Sequence, residues 1–215
     1  MPAGVITARP GHVRTGEILK VAGLVLAAGG GTRFGRPKAV VEVGGRRLVD
    51  LAIESCLRAE LSPVVVVLGA VWLTPMPPAG SVAGTTTDIW LVDNTDWATG
   101  MASSLRAGLA ALETELDVDA LVVTLVDTPS VGEQHLRRIG AALVDGATAA
   151  VAAYNGQART PVGLVRGVWP NVVRTIAGDE GARTWLRANP HLVTDVECAD
   201  LGPWTDVDSP EDLPR

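Results

Sequence analysis

The sequence predicts an α/β domain in which helices cover both faces of a mostly parallel sheet, and three observations carry that expectation. Short apolar runs alternate with helix-patterned segments of about ten to fifteen residues. Several of the runs are apolar throughout, as strands buried on both faces are. Glycine-rich or polar residues come directly after three of them, where ligands bind in such sheets. The 215 residues suit one domain at roughly 150 residues per domain, and 47% hydrophobic against 20% charged residues can bury a sizeable core.

Residues 1–20 mix proline, glycine and charge without a period and are expected to form a mobile arm, leaving 21–215 as the domain. VAGLVLAA from Val21 is the first strand. Leu48 to Glu60 is a helix with Leu48, Leu51, Ala52 and Ser55 on one face. The β-branched run PVVVVLG is a second strand. TPMPPAGSVAGTTT is a loop. DIWLVDN is a third strand, and Leu105, Leu109 and Leu112 stripe a helix that begins near Gly100. DALVVTLVD is a fourth strand, and after it comes a helix over Gly132 to Val144 with Leu136, Ile139 and Leu143 in register. The strand ATAAVAAY and a shorter apolar stretch PVGLV extend the alternation.

A net charge of −6 argues against wrapping nucleic acid on a basic face. The longest apolar run, Val64 to Leu73, is far short of the roughly 20 residues of a membrane span, and the first residues lack an apolar signal core. A cytoplasmic protein with no nucleic-acid or membrane partner is the expectation. Cys56 and Cys198 stand in apolar surroundings, where reduced buried thiols are the simplest reading. His12, His135 and His191 are scattered and suggest neither a metal ligand nor a base.

The loop AAGGGTRFGRPK lies between a strand and a helix, a context in which closely spaced glycines bring backbone N–H groups to phosphate oxygens. Two familiar motifs fail there. A dinucleotide fingerprint counted from Gly29 needs glycine at its sixth position, which is Phe34, and the acid expected after the second strand is absent because Leu68, Gly69 and Ala70 end it. In the Walker pattern, Arg36 and Pro37 stand where lysine and a hydroxyl residue are required. A nicotinamide enzyme is therefore disfavoured.

LAAGGGTRFGRPK at 26–38 resembles the signature loop of nucleotidyltransferases of the molybdenum-cofactor type, the MobA- and MocA-like enzymes. Further motifs match in the same order. They are Asn94, Trp97, Gly100 and Ser104 after the third strand; Asp127, Thr128 and Pro129 after the fourth; Gly178, Asp179, Gly181, Ala182 and Arg183; and Asp206, Asp208, Ser209, Pro210, Glu211, Asp212 and Leu213. The likeness spans about 21–213. It implies a Rossmann-like three-layer domain of the nucleotide-diphospho-sugar transferase type. It also implies transfer of a nucleoside monophosphate from an NTP onto a phosphorylated acceptor, with release of pyrophosphate.

Such a reaction asks for positioning and charge neutralisation rather than a protein nucleophile. By resemblance, Leu26, Ala27, Ala28, Gly29, Gly30, Gly31, Thr32, Arg33 and Lys38 hold the nucleotide, with Lys38, Arg33 and Asp127 catalytic. Asp127 and Asp208 would share a Mg2+ ion; Asp206, if this piece is extended, would point the opposite way, and the acid-rich DVDSPED also reads as a capped helix start. Asn94, Gly100, Ser103 and Ser104 either read the base and ribose or cap a helix. Trp97 either stacks on a base or, since tryptophan is the general aromatic here, with six against one tyrosine and one phenylalanine, fills the core. Ala28 matches the cytidylyl branch, favouring CTP over GTP. Arg159, Thr160 and Pro161 stand at the acceptor segment, where the family often has Gly-His-Pro, and Val126 replaces a glycine; both changes weaken the claim of molybdopterin as acceptor. The alternatives are a nucleotide-binding regulator without turnover and, least favoured, an oxidoreductase.

Overall fold

The computed structural model describes residues 19–74, 89–113 and 118–213. The expected arm lies outside them except for Leu19 and Lys20, as does the TPMPPAGSVAGTTT loop beyond Thr74. Lys20 is tied down, its backbone N–H donating to Asp119 at 3.0 Å.

A seven-stranded sheet forms the middle layer. In chain order its strands are β1 (Val21–Leu26), β4 (Val64–Leu68), β5 (Ile89–Asp93), β6 (Ala120–Leu125), β7 (Ala149–Tyr154), β8 (Gln157–Val165) and β9 (Val193–Glu197), with spatial order β5-β4-β1-β6-β8-β7-β9. The short strands β2 (Glu42–Val43) and β3 (Arg46–Arg47) make a separate hairpin. Strands β5, β4, β1 and β6 run parallel, and β9 is parallel to β7. The exception is β8, antiparallel to both neighbours. Its hairpin with β7 turns at Asn155–Gly156, both at positive φ, the dipeptide that tight hairpin turns favour. The stretch expected to begin at Pro161 is therefore only the inner half of a nine-residue strand.

Burial matches the predicted patterns where the sheet is central. All of β4 is buried, and so is β1 after Val21. One face is covered by α1 (Leu48–Arg58) and α3 (Glu133–Val144), the other by α2 (Met101–Glu113), α4 (Trp169–Thr175) and α5 (Arg183–Ala188). The stripes of α2 and α3 are buried as expected. The buried face of α1 is corrected: Leu48, Val49, Ile53 and Cys56 face the core, while Leu51, Ala52 and Ser55 are half-buried, and the helix stops at Arg58. The face turns because Asp50 and Glu54 are satisfied inside by Arg47 and Arg46, so two acids share the buried side that an apolar count assigns elsewhere. Elements α4, α5 and β9 carry too few apolar positions to stand out in the sequence; α4 and α5 are seven and six residues long.

Both cysteines are buried thiols, and burial pushes Cys56 up to about 12. Among the described residues no helix is long and apolar enough to cross a membrane.

Candidate active site

The strand order places β1 between β4 and β6, and the chain leaves β1 toward one neighbour and later fills the other side. A crevice opens outside the carboxyl ends of strands at such a switch point. Here it is a cleft of about 760 Å³, walled by Gly29, Gly30, Gly31 and Thr32 after β1 and by Asp127 after β6.

The loop after β1 has the backbone freedom its glycines supply. Gly31 has φ of +62°, and a Cβ there would lie 1.9 Å from the carbonyl oxygen of Arg36. Only glycine lets the loop fold back so closely, and the Gly35 N–H donates to the Gly31 carbonyl at 2.8 Å. Pro37 then leads into a single 3₁₀ turn, Lys38–Val40, in which Ala39 is buried. That anchor turns Lys38 back into the cleft.

At the cleft mouth four charged side chains meet. Lys38 Nζ donates to Asp208 Oδ1 at 2.7 Å and to Asp127 Oδ2 at 2.9 Å, and Arg33 Nη1 donates to Asp208 Oδ2 at 2.8 Å. Lys38 is enclosed, its side chain 15% exposed, whereas Arg33 lies open at 79%. Burial alone pushes the Lys38 ammonium down, but the hydrogen bonds and charges of Asp208 and Asp127 outweigh it and raise its pKa. The same hydrogen bond from Lys38, against some desolvation, holds the Asp208 carboxyl below its ordinary range.

The two aspartates are brought together by a local return of the chain. The Val207 N–H donates to the Asp127 carbonyl at 2.8 Å, and Val207 is buried. Ser130 Oγ and the backbone of Thr205 exchange two hydrogen bonds at 3.0 Å. The next turn is capped: the N–H groups of Asp208 and Ser209 and the Ser209 hydroxyl all donate to Asp212. Ligand and cap readings of DVDSPED are thus compatible in one segment. The expectation that Asp206 points away from Asp208 is corrected. Residues two apart in extended chain share a face; Val207 points inward, and both aspartates line the cleft. Of these two, it is Asp208 that hydrogen-bonds Lys38.

Other expected residues divide. Leu26, Ala28, Gly100, Ser104, Arg159 and Thr160 line the cleft, while Ala27, Asn94, Ser103 and Pro161 do not. Asn94 is buried, its amide donating to the hydroxyls of Ser103 and Ser104 at 2.8 and 3.0 Å while its Oδ1 accepts the Asp96 N–H. These contacts fasten the end of β5 to the start of α2 through side-chain hydroxyls rather than through a helix N–H, and Ser104 also lines the cleft. Trp97 packs against one of the two apolar cores, as read, and also walls the cleft. It is half-buried, and a Cβ on Gly69 or Gly30 would come within 2.6 or 2.9 Å of it. Arg159 lies over the ring of Trp204 at 5.2 Å, and Trp204 Nε1 donates to Thr160 Oγ1 at 3.3 Å. Sequence reasoning misses Trp204, because nothing local marks a tryptophan between Pro203 and Thr205 as facing Arg159. His135 packs against Tyr154 and receives the Gly132 N–H, consistent with a structural histidine.

Among the described residues no three His, Cys, Asp or Glu side chains surround one point. The donor set is two carboxylates already converging on one cation, the Lys38 ammonium. Those are the ligands magnesium uses when phosphate oxygens and waters complete its shell.

Comparison with known proteins agrees with this architecture. A relative 36% identical over 203 residues, covering 91% of this chain and 95% of its own, is nicotine blue oxidoreductase of Paenarthrobacter nicotinovorans. The solved structure of the Rv0371c homologue from Mycobacterium sp. strain JC1 superposes with a TM-score of 0.70 at 26% identity, over 90% of this chain and 92% of the other. A nucleotidyl transferase from Methanothermobacter shares the fold with a TM-score of 0.66 at 20% identity, over 90% and 94%. The model of the MobA-like NTP transferase domain matches residues 23–193, a span that takes in the glycine loop, Lys38 and Asp127, and on that match the chain belongs to the MobA-like NTP transferase family.

Proposed function

We propose that the protein is a Mg2+-dependent nucleotidyltransferase that moves a nucleoside monophosphate, CMP from CTP, onto a phosphorylated small-molecule acceptor. The observation that carries the reading is the meeting of Lys38, Arg33, Asp127 and Asp208 at the mouth of the glycine loop. In this reading the loop N–H groups hold the triphosphate in the ground state. An acceptor phosphate oxygen attacks the α-phosphorus, the bond from that phosphorus to the bridging oxygen breaks, and pyrophosphate leaves. Lys38 and Arg33 stabilise the charge that builds on the transferred and leaving phosphates. Asp127 and Asp208 would hold the Mg2+, which supplies charge neutralisation and alignment for in-line displacement. Arg159, which lies over Trp204 in the cleft lining, would orient an anionic acceptor.

The nucleotide preference rests on Ala28, buried and lining the cleft. Its methyl group takes room that a purine would need. The acceptor is a phosphorylated metabolite for which molybdopterin is one candidate, and Arg159 and Thr160 in place of the family's Gly-His argue for testing others beside it. The test is a matrix of CTP and GTP against phosphorylated acceptors, with pyrophosphate release as readout. Release with CTP, Mg2+ and an acceptor supports the proposal. Absence of release with every pair, or stronger release with GTP, overturns the activity or the base preference respectively.

A second reading is favoured by one observation, the 36% identity to an enzyme named an oxidoreductase. On that reading the cleft takes a reduced nicotinamide cofactor in place of an NTP. The loop does not carry the dinucleotide spacing, since the sixth position from Gly29 is Phe34. Consumption of NADH or NADPH with an aromatic electron acceptor, without pyrophosphate release from any NTP, would establish it over the first.

A further inference from the structure

We infer that the Lys38 ammonium is a built-in placeholder for the divalent cation, so that the metal gains both carboxylates only when a bound triphosphate draws Lys38 away. The inference rests on the nucleotidyl-transfer reading above and deepens it by making cation binding contingent on the nucleotide.

The geometry is specific. Nζ lies 2.7 Å from Asp208 Oδ1 and 2.9 Å from Asp127 Oδ2, so a cation already stands where the two carboxylates converge. It is enclosed, whereas Arg33 reaches only the outer oxygen of Asp208 from an open position. A magnesium ion binding both carboxylates needs oxygens about 2.0–2.1 Å away, which the ammonium's occupancy forbids. Two cations in one such pocket also repel. Lysine has a flexible four-carbon stem and a compact charge. Lys38 shares a cleft wall with Gly29, Gly30, Gly31 and Thr32, where the triphosphate would lie. The phosphates therefore offer the ammonium a second set of anionic partners within the same cleft, and the carboxylates it leaves become the metal's. Linkage makes the effect reciprocal: the factor by which nucleotide tightens metal is the factor by which metal tightens nucleotide.

The test titrates Mn2+ alone into the full chain, by calorimetry and by the spin-resonance signal of free Mn2+. Wild type is compared with Lys38→Met, Lys38→Gln and Arg33→Met, each first checked for native circular dichroism. Without nucleotide, both Lys38 variants are expected to bind Mn2+ about tenfold or more tighter than wild type, within the usual range of coupling between sites. Arg33→Met should change it by no more than about threefold, as an exposed pair does. A CTP analogue with a methylene between the α- and β-phosphorus should tighten Mn2+ binding to wild type strongly and to Lys38→Met far less. If wild type and both Lys38 variants bind Mn2+ equally well without nucleotide, the placeholder idea is overturned while the metal site stands. If no form binds Mn2+ even with the analogue, the metal site and the placeholder fall together.

Discussion

Lys38 is the residue on which the site turns, because one ammonium satisfies two carboxylates from segments far apart in the chain. Removing it should separate binding from chemistry. Lys38→Ala is expected to lower turnover by about 10²–10³-fold, the cost typical of losing one transition-state donor, with a much smaller rise in the nucleotide dissociation constant. Rapid-quench turnover and calorimetric binding on the same preparation check the split. A rise of that size in the dissociation constant with turnover unchanged would make Lys38 a binding residue only. The ion pair also has a pH signature. Asp208 titrates below its ordinary 3.8 in the folded protein. Its contribution is thus present above that value and is lost as pH falls through the folded pKa. Lys38 is raised above 10.5, so its contribution persists below that value and is lost as pH rises through the folded pKa. The stability difference between wild type and Asp208→Asn, from urea unfolding, should be flat at neutral pH and shrink as pH falls below 3.8. A difference that grew in acid would contradict the pairing.

At the scale of elements, the site depends on how each strand end is fastened to the turn or helix beyond it. The turn after β5 presses Trp97 onto the chain after β4, with its Cβ 2.6 Å and its nearest indole carbon 2.8 Å from where a Cβ on Gly69 would stand. Gly69→Ala has no strained φ to adopt, so its cost should come from displacing Trp97. We expect a loss of about 1–3 kcal/mol, as overpacking costs, in denaturant unfolding. Weaker nucleotide binding should accompany it, because Trp97 is cleft wall. The capped turn over Ser209 to Asp212 plays the same part for Asp208. Asp212→Ala removes the acceptor of three hydrogen bonds. It should lower stability by about 0.5–2 kcal/mol, as loss of a cap does, and raise the metal concentration needed for half-maximal turnover. Unchanged metal dependence would show that Asp208 is held by Val207 alone.

At the scale of the molecule, two apolar layers clamp the sheet and leave its carboxyl edge as the place where charged groups can gather without being buried. A ligand that binds only the folded chain adds stability by mass action, about 2.7 kcal/mol at a hundredfold excess over its dissociation constant. For a chain of this size that is a rise in Tm of several degrees, at roughly 2–4 °C per kcal/mol. The proposal predicts this shift for CTP with Mg2+, a smaller one for GTP, and none for NADPH. A shift with NADPH alone would move the balance to the oxidoreductase reading.

By itself the sequence determined the parts that are local. Uninterrupted apolar runs such as Val64–Leu68 declare strands buried on both faces, and the leucine stripes of α2 and α3 declare their inner sides. The ordered motifs, from the glycine loop to Asp208, declared the family. Tertiary structure alone decided what depends on non-local partners. The direction of β8 is set by a tight turn at Asn155–Gly156 rather than by its apolar pattern. The inward acids of α1 are legible only once Arg46 and Arg47 are seen to meet them. Asn94 meets Ser103 and Ser104 only once the chain has turned back from β5 into α2. Asp127 and Asp208 become neighbours only because buried Val207 hydrogen-bonds the Asp127 carbonyl. A motif states which side chains are present, but the distance between two of them is set by every element packed between, and that distance decides whether two carboxylates can share one cation.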